Sequence, residues 1–400
     1  MTTVHRDHVH LAVALDGAGW HPAAWREASA RPAELFSARY WSDLVAEAER
    51  GLLDLVTFED LLGQQSSRLE GPDGRTDQVR GRLDAVLLAA RLATVTSHIG
   101  LVPATSVTHT EPFHVGAGIA SLDHATNGRA GWRPQITAWP HLAAHFGRRT
   151  LPDLDVHHLQ APGTRETVAE LFAEAADAVE VVRRLWDSWE DGAEIRDAAT
   201  GRFIDRDKLH YIDFQGAHFS VRGPSITPRS PQGQPLVTAL AHDRVPYEFA
   251  ARSADVVYTT PHSRADAAAI IAEVEEAAVT VGRTGEPLRV FADLLVFVGA
   301  DAAARKERLD ELDGAPLASD ALIVAGTAAE LADLIEDWRG AGVDGFRLRP
   351  GGLPHDLAGI TGDLVPELQR RGIFRTAYAE ATLRERFGLA RPASRYAAAS

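Results

Sequence analysis

The feature that constrains this chain most is a rhythm. Eight short apolar runs recur along it: His8–Leu15 (HVHLAVAL), Asp54–Phe58, Ile99–Val107, Ala130–Ile136, Leu236–Leu240, Val256–Thr260, Leu288–Val298 and Gly345–Arg349. Each has strand length, and most are followed by a stretch of helical period. Ala38–Arg50 is amphipathic and stops at Gly51, and Leu83–Val95, Pro112–His124, Tyr247–Ala254, Ala265–Val281 and Ala328–Gly340 also read as helices. The longest, Arg165–Trp189, places Val168, Leu171, Phe172, Ala175, Val179, Val182 and Trp186 on one stripe. Strands separated by helices cannot pair as hairpins, so the sheet is parallel, and eight such units close into an α/β (β/α)8 TIM barrel. We expect one domain over residues 1–400, with two additions. Glu190–Pro235, rich in Asp, Gly, Pro and Arg, reads as an insertion between the fourth helix and the fifth strand, with a small hairpin over His210–Val221. Glu367–Ser400 reads as a C-terminal extension whose helix, Arg375–Phe387, wraps the barrel exterior or a neighbouring subunit.

Composition narrows the function. The net charge of −15 argues against binding nucleic acid or an anionic membrane. With no Cys, disulfides, thiolate metal sites and a Cys nucleophile are excluded. Neither a signal peptide nor a run of eighteen apolar residues is visible, so a cytoplasmic protein is expected.

In a (β/α)8 barrel, chemistry collects at the C-terminal ends of the strands. That rule selects Glu59 and Asp60, Thr105–His109, Arg133–His141, His242–Arg244, Thr260–His262, and Arg347 and Arg349. Asp60 could equally cap the next helix, and His109 could be an ordinary loop histidine. The stretch SLDHATNGRAGW (121–132) precedes its strand and reads as scaffold: Asn127-Gly128 makes the positive-φ turn, and Asp123 or His124 holds Arg129. No metal signature appears (His157 and His158 are adjacent), nor a Walker loop, a nucleophile elbow or a dinucleotide fingerprint.

Several segments together resemble one family: GLLDLVTFED, the run from RLDAVLLAARLATVTSHIG to SVTHTEPFHV, SLDHATNGRAGW, EVVRRLWDSWEDGA, DRDKLHYIDFQGAHFSVRGPSITPRSPQGQP and ELQRRGIFRTAYAEATLRERFGLARPASRYA. The chain is similar, over nearly its whole length, to the bacterial luciferase-like flavin monooxygenases, in the branch of nitrilotriacetate monooxygenase, pristinamycin synthase and dibenzothiophene sulfone monooxygenase. The resemblance implies a two-component enzyme. Reduced FMN, weakly or transiently bound, comes from a separate NAD(P)H:flavin reductase, and O2 is used to oxygenate a small organic substrate in a homodimer or homotetramer. It also implies that the 190–235 insertion helps cover the active-site mouth.

Residue by residue, Asp60 matches the family's aspartate beside the flavin ring. Ser106 and Thr108 match hydroxyl positions after the third strand, and Thr137 a contact after the fourth. His109, His141 and His145 are the candidates for moving a proton, Arg133 for selecting an anionic substrate, and Trp139 for stacking on a ring or packing beneath the insertion. Two stretches depart from the pattern. Val168, Leu171 and Phe172 stand where the family has a His and an Arg-Tyr pair gripping the flavin. Ala239–Pro246 stands where a Gly- and Ser-containing loop holds its phosphate; His242 and Arg244 are the cations that could compensate. A second reading therefore stays open: a family member with an altered or lost flavin site, using a deazaflavin or acting as a non-redox enzyme or binding protein.

Overall fold

The computed structural model describes residues 8–68, 71–153 and 161–397; His157 and His158 lie outside them. The eight expected strands are the staves of a closed parallel barrel: β1 His10–Leu15, β2 Leu55–Phe58, β3 Gly100–Ser106 and β4 Gly131–Gln135 come first. Two antiparallel pairs then belong to the insertion, β5 Glu194–Asp197 with β6 Arg202–Ile204 and β7 Phe214–Gln215 with β8 Ser220–Val221. β9 Leu236–Leu240, β10 Val256–Thr259, β11 Arg289–Val298 and, later, β13 Gly345–Pro350 complete the staves. β13 pairs with β1 and β11, and β10 with β11, which closes the circle.

One further strand, β12 Leu322–Gly326, has no counterpart in the sequence reading. β11 is ten residues long; its first half pairs with β10 and its second half, Leu294–Val298, with β12. The helices are α1 Ala38–Arg50, α2 Ala85–Leu92, α3 Pro112–Thr126, the short α4 Pro140–Ala143, α5 Pro162–Asp187, α6 Arg244–Ser253, α7 Arg264–Thr280, α8 Ala302–Asp313 and α9 Ala328–Arg339. Three short helices follow β13: α10 His355–Gly359, α11 Val365–Arg370 and α12 Leu383–Arg386.

Along each stave side chains alternate between the outer helices and the barrel interior. Outward residues such as Leu11, Val13, Val56, Leu294, Phe346 and Leu348 join the main core against the helices. Inward residues form layers. The lower one is apolar (Ala12, Leu55, Val102, Leu236, Val256, Tyr258, Phe291) and is closed from below by Leu383, Phe387 and Leu389 of the C-terminal segment. Phe387 stacks on His10, ring centroids 4.6 Å apart. The upper layer is charged.

Three expectations are corrected here. The C-terminal segment neither wraps the exterior nor forms a helix over Arg375–Phe387. Only Leu383–Arg386 is helical, because Arg375, Tyr378 and Arg386 are drawn to backbone and carboxylate groups under the barrel. The insertion does not cover the mouth. It lies along α5 and the C-terminal tail, with Phe214 in a cluster with Val181 and Leu185, Arg229 paired with Asp187, and Arg391 with Asp191 at 2.6 Å. The reason is connectivity, since the segment joins the end of a helix to the start of a strand.

The third correction concerns residues 121–132. The turn is as expected, with Asn127 at φ 52° and Gly128 at φ 89°. Arg129, however, is held by the oxygens of Thr96, Ile99 and Thr126, not by Asp123. Asp123 instead accepts from Ala130 N and from the backbone and side chain of Gln232. Buried Arg129 has its N–H groups met by four neutral oxygens at this junction.

Candidate functional site

The mouth is floored by ions. Asp293 stands alone among apolar neighbours on β11 and receives both inward arginines of β13. Arg347 Nε reaches it at 2.8 Å and Arg349 Nε at 3.0 Å. Arg347 lies over the Tyr258 ring, and Arg349 lies over Trp20 and bonds Asp320 at 2.6 Å. Burial alone would raise the Asp293 and Glu59 carboxyls. The facing guanidiniums outweigh it and hold both below the ordinary range. Arg133 pairs with Glu59. Arg133 therefore sits in the floor, 2 % exposed, rather than at the rim.

Beside this floor the ends of β2, β3 and β4 bring most of the expected residues together. Asp60 accepts from Leu62 N at 2.8 Å and Ala85 N at 3.4 Å, and burial raises its carboxyl pKa. It lines a cavity of about 220 Å³ with Thr105, Ser106, Thr110 and His114. Ser106 Oγ lies 3.3 Å from Thr137 Oγ1, and Thr137 N donates to Thr108 Oγ1 at 2.9 Å. His109 is buried and stacked on Phe146; burial, then the nearby Arg149, lowers its pKa. Trp139 and His141 open the short helix α4, which packs under the loop after β2: a side chain at Gly63 would strike Leu142.

Other expected residues lie apart. His145 is exposed. His242 is half-exposed, its Nδ1 3.0 Å from Thr260 Oγ1, and partial burial lowers its pKa in spite of Asp320. Arg244 is exposed, bonds Glu248 at 3.0 Å and lines an outer groove with Glu273 and Glu276. Val168, Leu171 and Phe172 are on α5; Leu171 is buried with Ala143 and Leu151, and Phe172 packs on Phe249.

Sequence reasoning selected the stretch that holds Gln135 without giving that residue a role, and missed Asp293 and Asp320. A lone acid inside RVFADLLVFV, opposite the alternating arginines of FRLRP, was the available signal for Asp293. Among the described residues no cluster of His, Asp and Glu is placed to hold a metal ion, and no helix is long and apolar enough to cross a membrane.

One pattern bears on a cofactor. His109 Nε2, Gln135 Oε1, His141 Nδ1 and Arg133 Nε are buried polar atoms with no hydrogen-bond partner, all on or just after β3 and β4. Each costs about 1–3 kcal/mol when unpaired; others stand elsewhere in the described residues, at Arg305, Arg375 and Arg386 among them, so it is their place at the strand ends that singles these four out. With the Ser106, Thr108 and Thr137 hydroxyls and Asp60, they form a donor and acceptor set suited to a flat polar ring such as a flavin's. The end of β9 does not suit the flavin's phosphate. There the Asp243 carboxylate caps α6 by accepting from Arg244 N at 2.7 Å, and Pro246 has no N–H to give.

Known proteins agree with this barrel. The family model described as luciferase-like monooxygenase matches residues 18–318. Nitrilotriacetate monooxygenase component A of Aminobacter aminovorans is 32% identical over 443 residues, covering 94% of this chain and 95% of that one. N-acetyl-S-(2-succino)cysteine monooxygenase of Bacillus subtilis (strain 168) is 31% identical over 462 residues, covering 99% and 100%. The crystal structure of a long-chain alkane monooxygenase superposes with a TM-score of 0.83 over 95% of each chain at 23% identity, a likeness of fold. The chain belongs to the luciferase-like monooxygenase family and is a flavin-dependent monooxygenase; the second reading is not favoured.

Proposed function

We propose that this member of the luciferase-like monooxygenases is the oxygenase component of a two-component system. It takes reduced FMN from a separate NAD(P)H:flavin reductase and oxygenates a small organic substrate with O2, as a cytoplasmic homodimer or homotetramer. Bound flavin supplies the electrons and the oxygen activation. The chain's own residues position and protect. Asp60, Ser106, Thr108 and Thr137 meet the ring, and the unpaired atoms of Gln135, His109 and His141 complete its edge. His109, kept neutral by burial, is ready to accept a proton from a reacting group. His141 is the second candidate for moving a proton, and Trp139 the candidate for stacking on a ring. The ionic floor of Arg133, Glu59, Asp293, Arg347 and Arg349 is a fixed, dry electrostatic base under the reacting centre. The observation that carries this reading is that buried polar atoms without partners lie on and just after β3 and β4, while Thr105 and Ser106 at the end of β3 line a cavity with Asp60.

Anaerobic titration of the purified protein with reduced FMN tests it. Binding is expected, weakened about two- to tenfold in Ser106→Ala and in His109→Gln, the range of one hydrogen bond. Failure of the native chain to bind either oxidised or reduced FMN would sink the proposal.

A further inference from the structure

We infer that this chain holds its flavin by the ring and not by the phosphate, so that reduced riboflavin binds about as well as reduced FMN. The inference rests on the reading that the mouth takes a reduced flavin, and adds which part of that molecule is recognised.

A terminal phosphate is close to a dianion at neutral pH. To be gripped it needs uncommitted helix-terminal N–H groups or a cation without a carboxylate partner. Four of the helices that begin at the mouth, α2, α6, α7 and α9, have given a terminal or flanking amide to the chain's own acids. Asp84 accepts from Leu87 N on α2, and Asp243 from Arg244 N on α6. Asp266 accepts from His262 N at the start of α7, and Glu330 from Thr327 N at the start of α9. On α6 the remaining first-turn positions offer little more: Tyr247 N is bonded to Asp243 O, and Pro246 has no N–H, which leaves Val245.

Among the described residues, several arginines around the mouth are committed too. Arg82 holds Asp16, Arg133 holds Glu59, Arg149 holds Glu174, and Arg347 and Arg349 share Asp293. Arg244 turns to Glu248 and a groove bearing two further glutamates. Any phosphate placed at these points would displace an internal carboxylate and then sit beside it, in a chain of net charge −15. The ring meets the reverse situation, with buried donors and acceptors that lack partners.

The test is anaerobic calorimetry of the full chain with reduced FMN and, separately, reduced riboflavin. Dissociation constants within about threefold of each other are expected, with no competition from inorganic phosphate. A second variant turns the inference into a gain: Asp243→Ser with Pro246→Gly keeps a side chain able to cap α6, removes the carboxylate and restores an amide. It is expected to raise the preference for FMN over riboflavin about tenfold or more. A native preference for FMN above tenfold would overturn the inference while leaving the oxygenase reading intact. Binding of neither flavin would overturn both.

Discussion

Asp293→Asn removes one charge from the barrel floor without changing its shape, and its cost can be worked from the geometry. Asp293 is wholly buried and takes both Arg347 and Arg349. Removing one partner of a buried ion pair leaves an uncompensated charge and costs about 3–5 kcal/mol. Here two guanidiniums lose their common partner, although Glu59 still faces Arg347 and Asp320 still faces Arg349, which places the expectation near 4 kcal/mol. Unfolding entropy of about 2.1 cal/mol/K per residue gives roughly 0.8 kcal/mol/K for 400 residues, so Tm should fall by about 5 °C. Scanning calorimetry, with urea unfolding followed by tryptophan fluorescence, reads the change. The informative companion is the triple variant Asp293→Leu, Arg347→Met, Arg349→Met. Removing the whole group strands no charge, because Glu59 keeps Arg133 and Asp320 is half-exposed. The triple variant is therefore expected to be less destabilised than Asp293→Asn alone. A shift under about 1 °C in the single variant, or a triple variant less stable than the single, would refute the reasoning.

The barrel's lower closure and its buried titratable groups give two more expected outcomes. Phe387→Ala opens the bottom of the barrel and is expected to cost about 3–5 kcal/mol while leaving the ratio of FMN to riboflavin affinity unchanged, as read by urea unfolding and calorimetry. Stability against pH should fall in two stages. His21 accepts from Ala23 N through Nδ1 and burial lowers its pKa, so the unfolded chain takes up this proton first, and stability declines below about pH 6.5. That stage should shrink but not vanish in His21→Gln, because His109 and His242, whose pKa values burial also lowers, contribute to it. Glu59 and Asp293 have depressed pKa values, so their contribution is whole above about pH 4 and lost as pH falls below it; a steeper acid limb is expected, shallower in Asp293→Asn.

What could be read beforehand follows what each residue had to satisfy. The eight staves were legible because each is apolar inside and out through most of its length, and a helix separates most of them. β12 was not, since Leu322–Gly326 is half-exposed and pairs on one side with the end of β11. α8 escaped because AAARKERLDELD buries Ala302, Arg305 and Leu309 and shows no broad apolar stripe. The first hairpin of the insertion, with Phe203 on its exposed side, gives no core-facing alternation to detect. At the site, the loop positions of Asp60, Ser106, Thr108 and Thr137 followed from the barrel rule, whereas the partners of Arg133 and Arg349 depend on which staves become neighbours across the interior. Arg129 was given an acid by proximity in sequence; the fold gave it three carbonyls and a hydroxyl.

The barrel's lower closure also orders events in time. Leu383, Phe387 and Leu389 meet Leu55, Val102, Leu236 and Val256, residues separated from them by much of the chain. A ribosome delivers all eight staves before the segment that seats beneath them. Until that segment arrives the apolar lower layer lacks the cover that Leu383, Phe387 and Leu389 supply. Such long-range contacts form slowly. Seating of that segment, rather than the first collapse of the barrel, is then the step that takes the lower layer out of water.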